Sequence, residues 1–238
     1  MKILGIIPAR GGSVGVKGKN LRELNGKPLI AWTIECALRS QLSRVIVSTE
    51  SEEIAQVAKE YGADVPFLRP ANLSDNTSRI EPVLLHAINW LRDNEGYDYD
   101  AIALIFPTHP LRNIMDINDC IEGFDLATHD SVVSVTPAIA NDNPLWMLKE
   151  NSENRVVLFN DKPLVEIEDR RQDLPCVYKR NDLVYILKES NLLAKKISLY
   201  GEKVKLVTTS NMLDVDINTE EDWKLLQKIF PILVKDIA

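Results

Sequence analysis

Cysteine is scarce in this chain of 238 residues: Cys36, Cys120 and Cys176 are odd in number, widely spaced and include no C-x-x-C pair. That argues against a disulfide framework and a zinc knuckle, and a reducing cytoplasm is the simplest home. Long apolar runs are missing as well. No segment approaches the roughly 20 apolar residues of a membrane span, so no membrane partner is expected. Near the amino end a lysine precedes Ile3 to Ile7, but Pro8 and Arg10 end that run before a signal h-region of about 7–15 residues is complete. Basic charge is in deficit, with 28 Lys and Arg against 35 Asp and Glu, for a net charge of -7. A duplex-coating protein needs a basic surplus over at least one face, so polymeric nucleic acid is excluded as a partner. Low-complexity tracts are lacking too, and 45% hydrophobic with 26% charged residues matches an ordinary globular protein rather than a disordered or fibrous one.

What the chain does have is an uneven charge distribution. Residues 1–31 carry Lys2, Arg10, Lys17, Lys19, Arg22 and Lys27 against Glu23 alone, a local surplus of +5 that leaves -12 for the remainder. A small anionic ligand at the amino-terminal segment is compatible with an acidic whole.

The length suits one large α/β domain, or one domain carrying a small lobe. Residues 2–7 read as a buried strand, Leu29 to Leu42 as a helix, and Arg44 to Ser48 as a second strand. Ser51 is an N-cap candidate, with Glu52 and Glu53 complementing the helix dipole and Ile54, Val57, Ala58 and Tyr61 forming an apolar face. A short strand at 64–68, a helix near 80–94, a strand from Ala101 to Phe106, a helix near 114–127 and a strand from Ser131 to Thr136 follow. Short apolar runs alternating with helical patterns indicate βαβ units, hence an α/β fold with a mostly parallel sheet flanked by helices. Between about 140 and 190 the regularity weakens. The NDNP cluster at 141–144 and β-prone pieces at Val156 to Phe159 and Leu183 to Leu187 suggest an inserted antiparallel lobe, a candidate oligomer contact. A strand near 204–208 and a helix from about 220 to 230 close the chain, the helix opening on Thr219 with Asp222 in a capping-box pattern and burying Trp223, Leu226 and Phe230.

The segment IPARGGSVGVKGKN, residues 7–20, follows the first strand and holds Gly11, Gly12, Gly15 and Gly18. Glycines let backbone N–H groups approach a phosphate closely. The loop is neither dinucleotide fingerprint nor Walker A: no glycine pair has the first G-x-G spacing, neither Gly18-Lys19 nor Gly26-Lys27 has a glycine five positions earlier, and neither lysine precedes Ser or Thr. What remains is a basic turn at the carboxyl end of the first strand, where open α/β sheets usually place ligands. Arg10 and Lys19 suit the oxygens of a triphosphate; the alternative is a surface turn with solvated lysines.

IPARGGSVGVKGKN and LNGKPLIAWTI (24–34) resemble the signature of the cytidylyltransferases that activate nine-carbon 2-keto sugar acids, the acylneuraminate (CMP-sialic acid synthetase) family. RPANLSDNTSRIEPVLLHAI (69–88), LIFPTHPLR (104–112), DRRQDLPCVYKRN (169–181) and DVDINTEEDW (214–223) continue the resemblance in order over most of the chain. It implies a Rossmann-like nucleotidyltransferase sheet, one domain over 1–238 with the 140–190 lobe contributing to a homodimer, and CTP and a sugar acid as substrates. By resemblance Arg10 and Lys19 would contact the CTP phosphates and Asn20 the nucleotide, with Gly11, Gly12 and Ser13 shaping the cradle. Ser74, Thr77 and Ser78 match the stretch near the base. Phe106, Thr108 and His109 fall in the substrate-facing strand end, and Arg171 and Gln172 match the sugar-acid and phosphate-side segment. Asp216 matches the first acid of a D-x-D motif for Mg²⁺.

The chain also departs from the family. Val14 stands where Lys is common, Phe106 replaces Gln, His109 Ser, Asp182 Gly, and Asn218 the second Asp. Asn218 retains a carbonyl ligand without charge, and Asp214, two residues before Asp216, supplies a carboxylate on the same face of an extended segment. The bland reading of Asp214 and Asp216 is a solvated turn before a capped helix. Phe106 implies altered sugar selectivity rather than lost chemistry. His86, set among Val83, Leu84, Ala87 and Ile88, reads as a packed helix residue, His129 as surface, and Trp90 and Trp146 as core or interface aromatics; Asp169 to Gln172 is either a charged hairpin tip or a bidentate anion receptor.

The reaction implied is attack of the anomeric hydroxyl of a nonulosonic acid on the α-phosphorus of CTP, releasing pyrophosphate. No covalent nucleophile is required, and the proton acceptor stays open among a metal-activated hydroxyl, an aspartate and a phosphate oxygen. The alternatives are the eight-carbon 3-deoxy-manno-octulosonate as acceptor, and a nucleotide-binding relative that has lost catalysis.

Overall fold

The computed structural model describes residues 1–13, 15–75, 78–209 and 216–234. Along the chain run β1 (Ile3–Pro8), β2 (Glu23–Leu24), β3 (Lys27–Pro28), α1 (Leu29–Leu38), β4 (Arg44–Ser48), α2 (Glu52–Glu60), α3 (Ile80–Glu95), β5 (Ala101–Leu104), α4 (Ile114–Gly123), β6 (Ser131–Pro137), β7 (Leu148–Glu150), β8 (Val156–Leu158), β9 (Tyr178–Leu187), α5 (Ser190–Leu193), β10 (Val204–Thr208) and α6 (Glu220–Leu233). The chain divides into two compact units, residues 1–134 with 182–238, and residues 135–181.

The central sheet has the order β10-β6-β9-β5-β1-β4. β1 lies parallel to β4, with Ile6 opposite Ile46, and parallel to β5, with Leu4 opposite Ile102. The strands read as near-continuous apolar runs because helices cover both faces. Every residue of β5 is buried. Leu183 to Leu187 corrects the expected lobe assignment: these residues belong to β9, which pairs antiparallel with β5 through Ile102–Leu187 and Leu104–Tyr185. Five buried residues in succession are what a strand covered on both faces requires, and that run does not encode strand direction. The expected strand at 64–68 is reduced to a single bridge from Asp64 to Ile46.

Local signals account for the helix starts. Ser51 accepts from the Ile54 amide, and both Asn113–Asp116 and Thr219–Asp222 form complete capping boxes. Helix α4 ends at Gly123, four residues short of expectation, because Phe124 turns into the core at 4% exposure.

A second apolar cluster determines where the carboxyl-terminal segment lies. Val16 of the glycine loop, Leu24, Leu29 and Leu111 are buried together with Ile217, Trp223, Leu226 and Phe230. Burial is worth roughly 1.5–3 kcal/mol per large apolar side chain, so α6 is held against the loop and carries residues 216–218 with it.

The unit of residues 135–181 contains the β7–β8 hairpin, registered by Leu148–Leu158 and Glu150–Val156. Trp146 donates its indole N–H to the Glu168 carbonyl, and Asn143 donates to the Pro175 carbonyl. No helix among the described residues is long and apolar enough to cross a membrane.

Candidate nucleotide site

At the carboxyl ends of β1 and β5 a cleft of about 360 Å³ opens, lined by Arg10, Ser13, Gly15, Lys19 and Asn20 of the glycine loop, by Arg69, Leu73, Asp75, Ser78, Arg79, Ile80 and Val83, by residues 106–108 and by Asn218. Its walls combine the cations Arg10, Lys19, Arg69 and Arg79 with apolar Leu73, Ile80, Val83 and Phe106. A concave site with convergent polar groups is the expected form of a small-molecule site.

The glycine loop is shaped from both ends. Gly18 is left-handed at φ 64° and starts the short helix Lys19–Leu21, which points Lys19 and Asn20 inward. Asn20 is buried, and its amide donates to the Arg10 carbonyl at 2.9 Å, fastening the far end of the loop to its start. Arg10 reaches across the cleft to donate to the Asp75 carbonyl at 2.9 Å. Lys19 donates to the Ile217 carbonyl. Burial pulls the Lys19 ammonium below its ordinary value, with Asp216 opposing that shift and Arg10 reinforcing it. Gly15 lies so close to the carboxyl-terminal segment that a Cβ there would fall 1.9 Å from the Asn218 carbonyl oxygen. Only glycine permits that approach.

Asp216 is half-buried. One carboxylate oxygen accepts from the Asn218 amide at 2.7 Å, and the other lies 3.6 Å from His109 Nε2. Asp216 Oδ1 and His109 Nε2 are both buried, and neither has a hydrogen-bond partner among the described residues. His109 sits behind the cleft at 3% exposure, and burial together with Arg112 lowers its imidazole to about pKa 4, leaving it neutral. A half-buried carboxylate on the segment packed against the basic loop suits Mg²⁺, which is usually held by one or two carboxylates plus substrate phosphates. Asp214 and Thr77 lie outside the described residues, as does Val14. Among the described residues no group of three or more His, Cys, Asp or Glu forms a metal cage.

Of the other expected residues, Ser13, Ser78, Phe106 and Thr108 line the cleft. Ser78 Oγ donates within its own turn to Asp75 at 2.8 Å. Ser74 serves the same loop, accepting from Arg69 Nε at 3.0 Å. Gly12 is exposed at the loop crest, and the Gly11 amide is turned away, donating to Glu50 Oε1 at 2.7 Å. Arg171 and Gln172 lie in the second unit, exposed on the short helix Arg171–Asp173. His86 packs edge-on against Phe67 with centroids 4.8 Å apart. Asp182 adopts φ 53°, the left-handed region that favours glycine, and accepts from the Tyr185 hydroxyl, while Tyr185 stands edge-on to Phe106.

Sequence reasoning missed Arg69, Glu50, Arg79 and Arg112. Arg69 is 5% exposed and lines the cleft, paired with Glu50 at 3.0 Å. Arg112 is buried and donates to the Leu183 and Phe106 carbonyls and to Thr33 Oγ1, clamping the strand end that presents Phe106 and Thr108. The one available signal was an arginine inside an otherwise apolar stretch, since a buried charge persists only when its donors are satisfied.

The cytidylyltransferase family model matches residues 4–230. A CMP-N,N'-diacetyllegionaminic acid synthase from Legionella pneumophila is 36% identical over 98% of this chain and 97% of its own. A pseudaminic acid cytidylyltransferase from Campylobacter jejuni is 31% identical over 98% and 97%, and an N-acylneuraminate cytidylyltransferase from Escherichia coli is 30% identical over 94% of this chain and 51% of its own. Among solved structures, a CMP:2-keto-3-deoxy-manno-octonic acid synthetase complexed with CTP superposes with TM-score 0.69 at 16% identity, covering 98% of this chain and 99% of that one, a likeness of fold. With a glycine-rich basic loop at the end of β1, an acid segment packed against it and a family model spanning nearly the whole chain, the protein belongs to the cytidylyltransferase family.

Proposed function

We propose that this protein transfers CMP from CTP to the anomeric hydroxyl of a nonulosonic, sialic-acid-like 2-keto sugar acid. The attacking oxygen bonds to the α-phosphorus, the bond between the α-phosphorus and its bridging oxygen to the β-phosphate breaks, and pyrophosphate leaves. The observation that carries this reading is the approach of Gly15 to Asn218, which packs the basic loop against the segment that carries Asp216 and puts Asn218 in the wall of the cleft. Relatives named for legionaminic, pseudaminic and neuraminic acids support the substrate class.

In this reading Arg10 and Lys19 bind the triphosphate and offset the charge that develops on departing pyrophosphate. Asn20 keeps the loop in the shape that presents them. Asp216 and Asn218 would hold Mg²⁺, which supplies charge neutralisation at the phosphate oxygens. Phe106, braced edge-on by Tyr185, presents an aromatic edge to the acceptor end of the cleft. Phosphoryl-group transfer of this kind depends on positioning and electrostatics and needs no covalent intermediate.

The test is pyrophosphate release from CTP and Mg²⁺ with a panel of sialic, legionaminic and pseudaminic acids and the eight-carbon 3-deoxy-manno-octulosonate. Turnover of a nine-carbon acid is expected. Turnover of the eight-carbon acid alone, or of none despite CTP binding, would refute the reading.

A further inference from the structure

An acidic side chain sits directly beneath the loop that the proposed function gives to a triphosphate. Glu50, at the end of β4, turns one carboxylate oxygen to the Gly11 amide at 2.7 Å and the other to Arg69 at 3.0 Å. A carboxylate there opposes the binding of a polyanion by simple charge repulsion. Its two partners explain why it is nonetheless held. Arg69 is fastened on three sides: its backbone amide donates to the Thr49 carbonyl at 2.7 Å, Nε donates to Ser74 at 3.0 Å, and Nη2 meets Glu50, while the side chain is 4% exposed and lines the cleft. Burial works against the Glu50 charge, but the Gly11 hydrogen bond and the Arg69 pairing outweigh it and keep the carboxyl below its ordinary value. Glu50 thus joins two loops that are separate in sequence, 10–20 and 69–78, on the two sides of one cleft.

We propose that Glu50 is a positioning residue for nucleotide binding: it couples the glycine loop to the 69–78 loop and aims the Arg69 guanidinium, so that a ligand touching both loops meets them in register. This rests on the nucleotide reading given above. On this proposal a nucleoside triphosphate needs both loops in register, whereas a bare polyphosphate needs only cations and depends little on how the two loops are aligned. Removing Glu50 therefore acts in opposite directions on the two ligands: it releases Arg69 and Gly11, which costs the nucleotide, and it deletes a negative charge under the cradle, which favours the polyphosphate.

The experiment is calorimetric titration of the full chain with CTP and, separately, with inorganic tripolyphosphate, for wild type, Glu50→Ala and Glu50→Gln. A hydrogen-bonded charged partner is worth enough that the ratio of CTP to tripolyphosphate affinity should fall about tenfold or more in Glu50→Ala, with tripolyphosphate binding unchanged or tighter. Glu50→Gln keeps an acceptor for Gly11 but presents an amide to Arg69, and should show the same direction. In turnover, KM for CTP should rise while kcat stays within about threefold, the pattern of lost uniform binding. Equal losses for both ligands would reduce Glu50 to a residue that merely keeps the loop folded, and no change in either would leave it without a role; each overturns the proposal. Should Glu50→Ala fail to fold, the near-isosteric Glu50→Gln decides by the same ratio. Wild type binding neither ligand would instead refute the nucleotide site itself, a distinct result.

Discussion

Adding one methyl group at Gly15 should disable the site while leaving the fold largely intact. The Cβ of Gly15→Ala would sit 1.9 Å from the Asn218 carbonyl oxygen and 3.0 Å from its carbonyl carbon. Real Cβ atoms essentially never come within 3.0 Å, so loop and acid segment must separate by about 1 Å or more, and the obstacle is backbone rather than the tip of a flexible side chain. Overpacking of this kind costs about 1–3 kcal/mol. In a chain of this length that corresponds to a Tm lower by about 2–12 °C, and the small end is expected because Gly15 is on an exposed loop that can yield locally. A 1 Å misplacement between groups that must act together costs about 10²-fold in rate. Pyrophosphate release at saturating CTP should therefore fall about 100-fold, with the loss in kcat, because the displaced partner of the loop is the Asp216–Asn218 segment. A Gly15→Ala enzyme within threefold of wild type would refute the claim that this approach sets the catalytic geometry.

Lys19→Ala and Asp216→Ala should each abolish measurable pyrophosphate release with Tm within about 3 °C of wild type; near-wild-type rates in either would remove that residue from the mechanism. Arg112→Met leaves the Leu183 and Phe106 carbonyls without their donor and should cost about 3 kcal/mol or more in denaturant unfolding, and Arg112→Lys should rescue little because one ammonium cannot span three acceptors. In the native protein at pH 8 a thiol reagent should label Cys176 rapidly and the other cysteines only on unfolding, since burial pushes Cys36 up to about 11 and Cys120 up to about 12. Because Glu50 lies below its ordinary value of 4.5, its contribution to stability is complete above that pH and is lost as pH falls through the lower folded value, so Glu50→Gln should show a shallower acid limb in thermal unfolding.

Much of this protein was legible from local pattern. Apolar runs alternating with amphipathic segments specify βαβ units, because period and burial follow from the residues themselves. Ser51, Thr219 and the glycine-rich turn announce their roles within a few positions, since capping and tight turns are local hydrogen-bond problems. The concentration of cations in residues 1–31 is also plain in the sequence, and two of them, Arg10 and Lys19, line the cleft.

Other features were beyond local pattern. The antiparallel direction of β9 depends on where the chain re-enters the sheet, and a buried strand looks the same in either direction. His109 followed a strand end that faces the cleft, yet its side chain is packed behind that cleft against Asp216. Glu50 and Arg69 are unremarkable as isolated residues; their pairing 19 positions apart, and the meeting of Gly15 with Asn218 across some 200 positions, exist only once β4 and α6 are packed. Composition and spacing determined the fold class, the basic glycine-rich loop after the first strand and the lack of any C-x-x-C pair, because those depend on neighbours in sequence. Tertiary structure decided which acid segment meets the loop, because burial of the Val16–Trp223 cluster brings residues 216–218 against it, and which charges pair, because electrostatic complementarity acts between residues that only folding brings together.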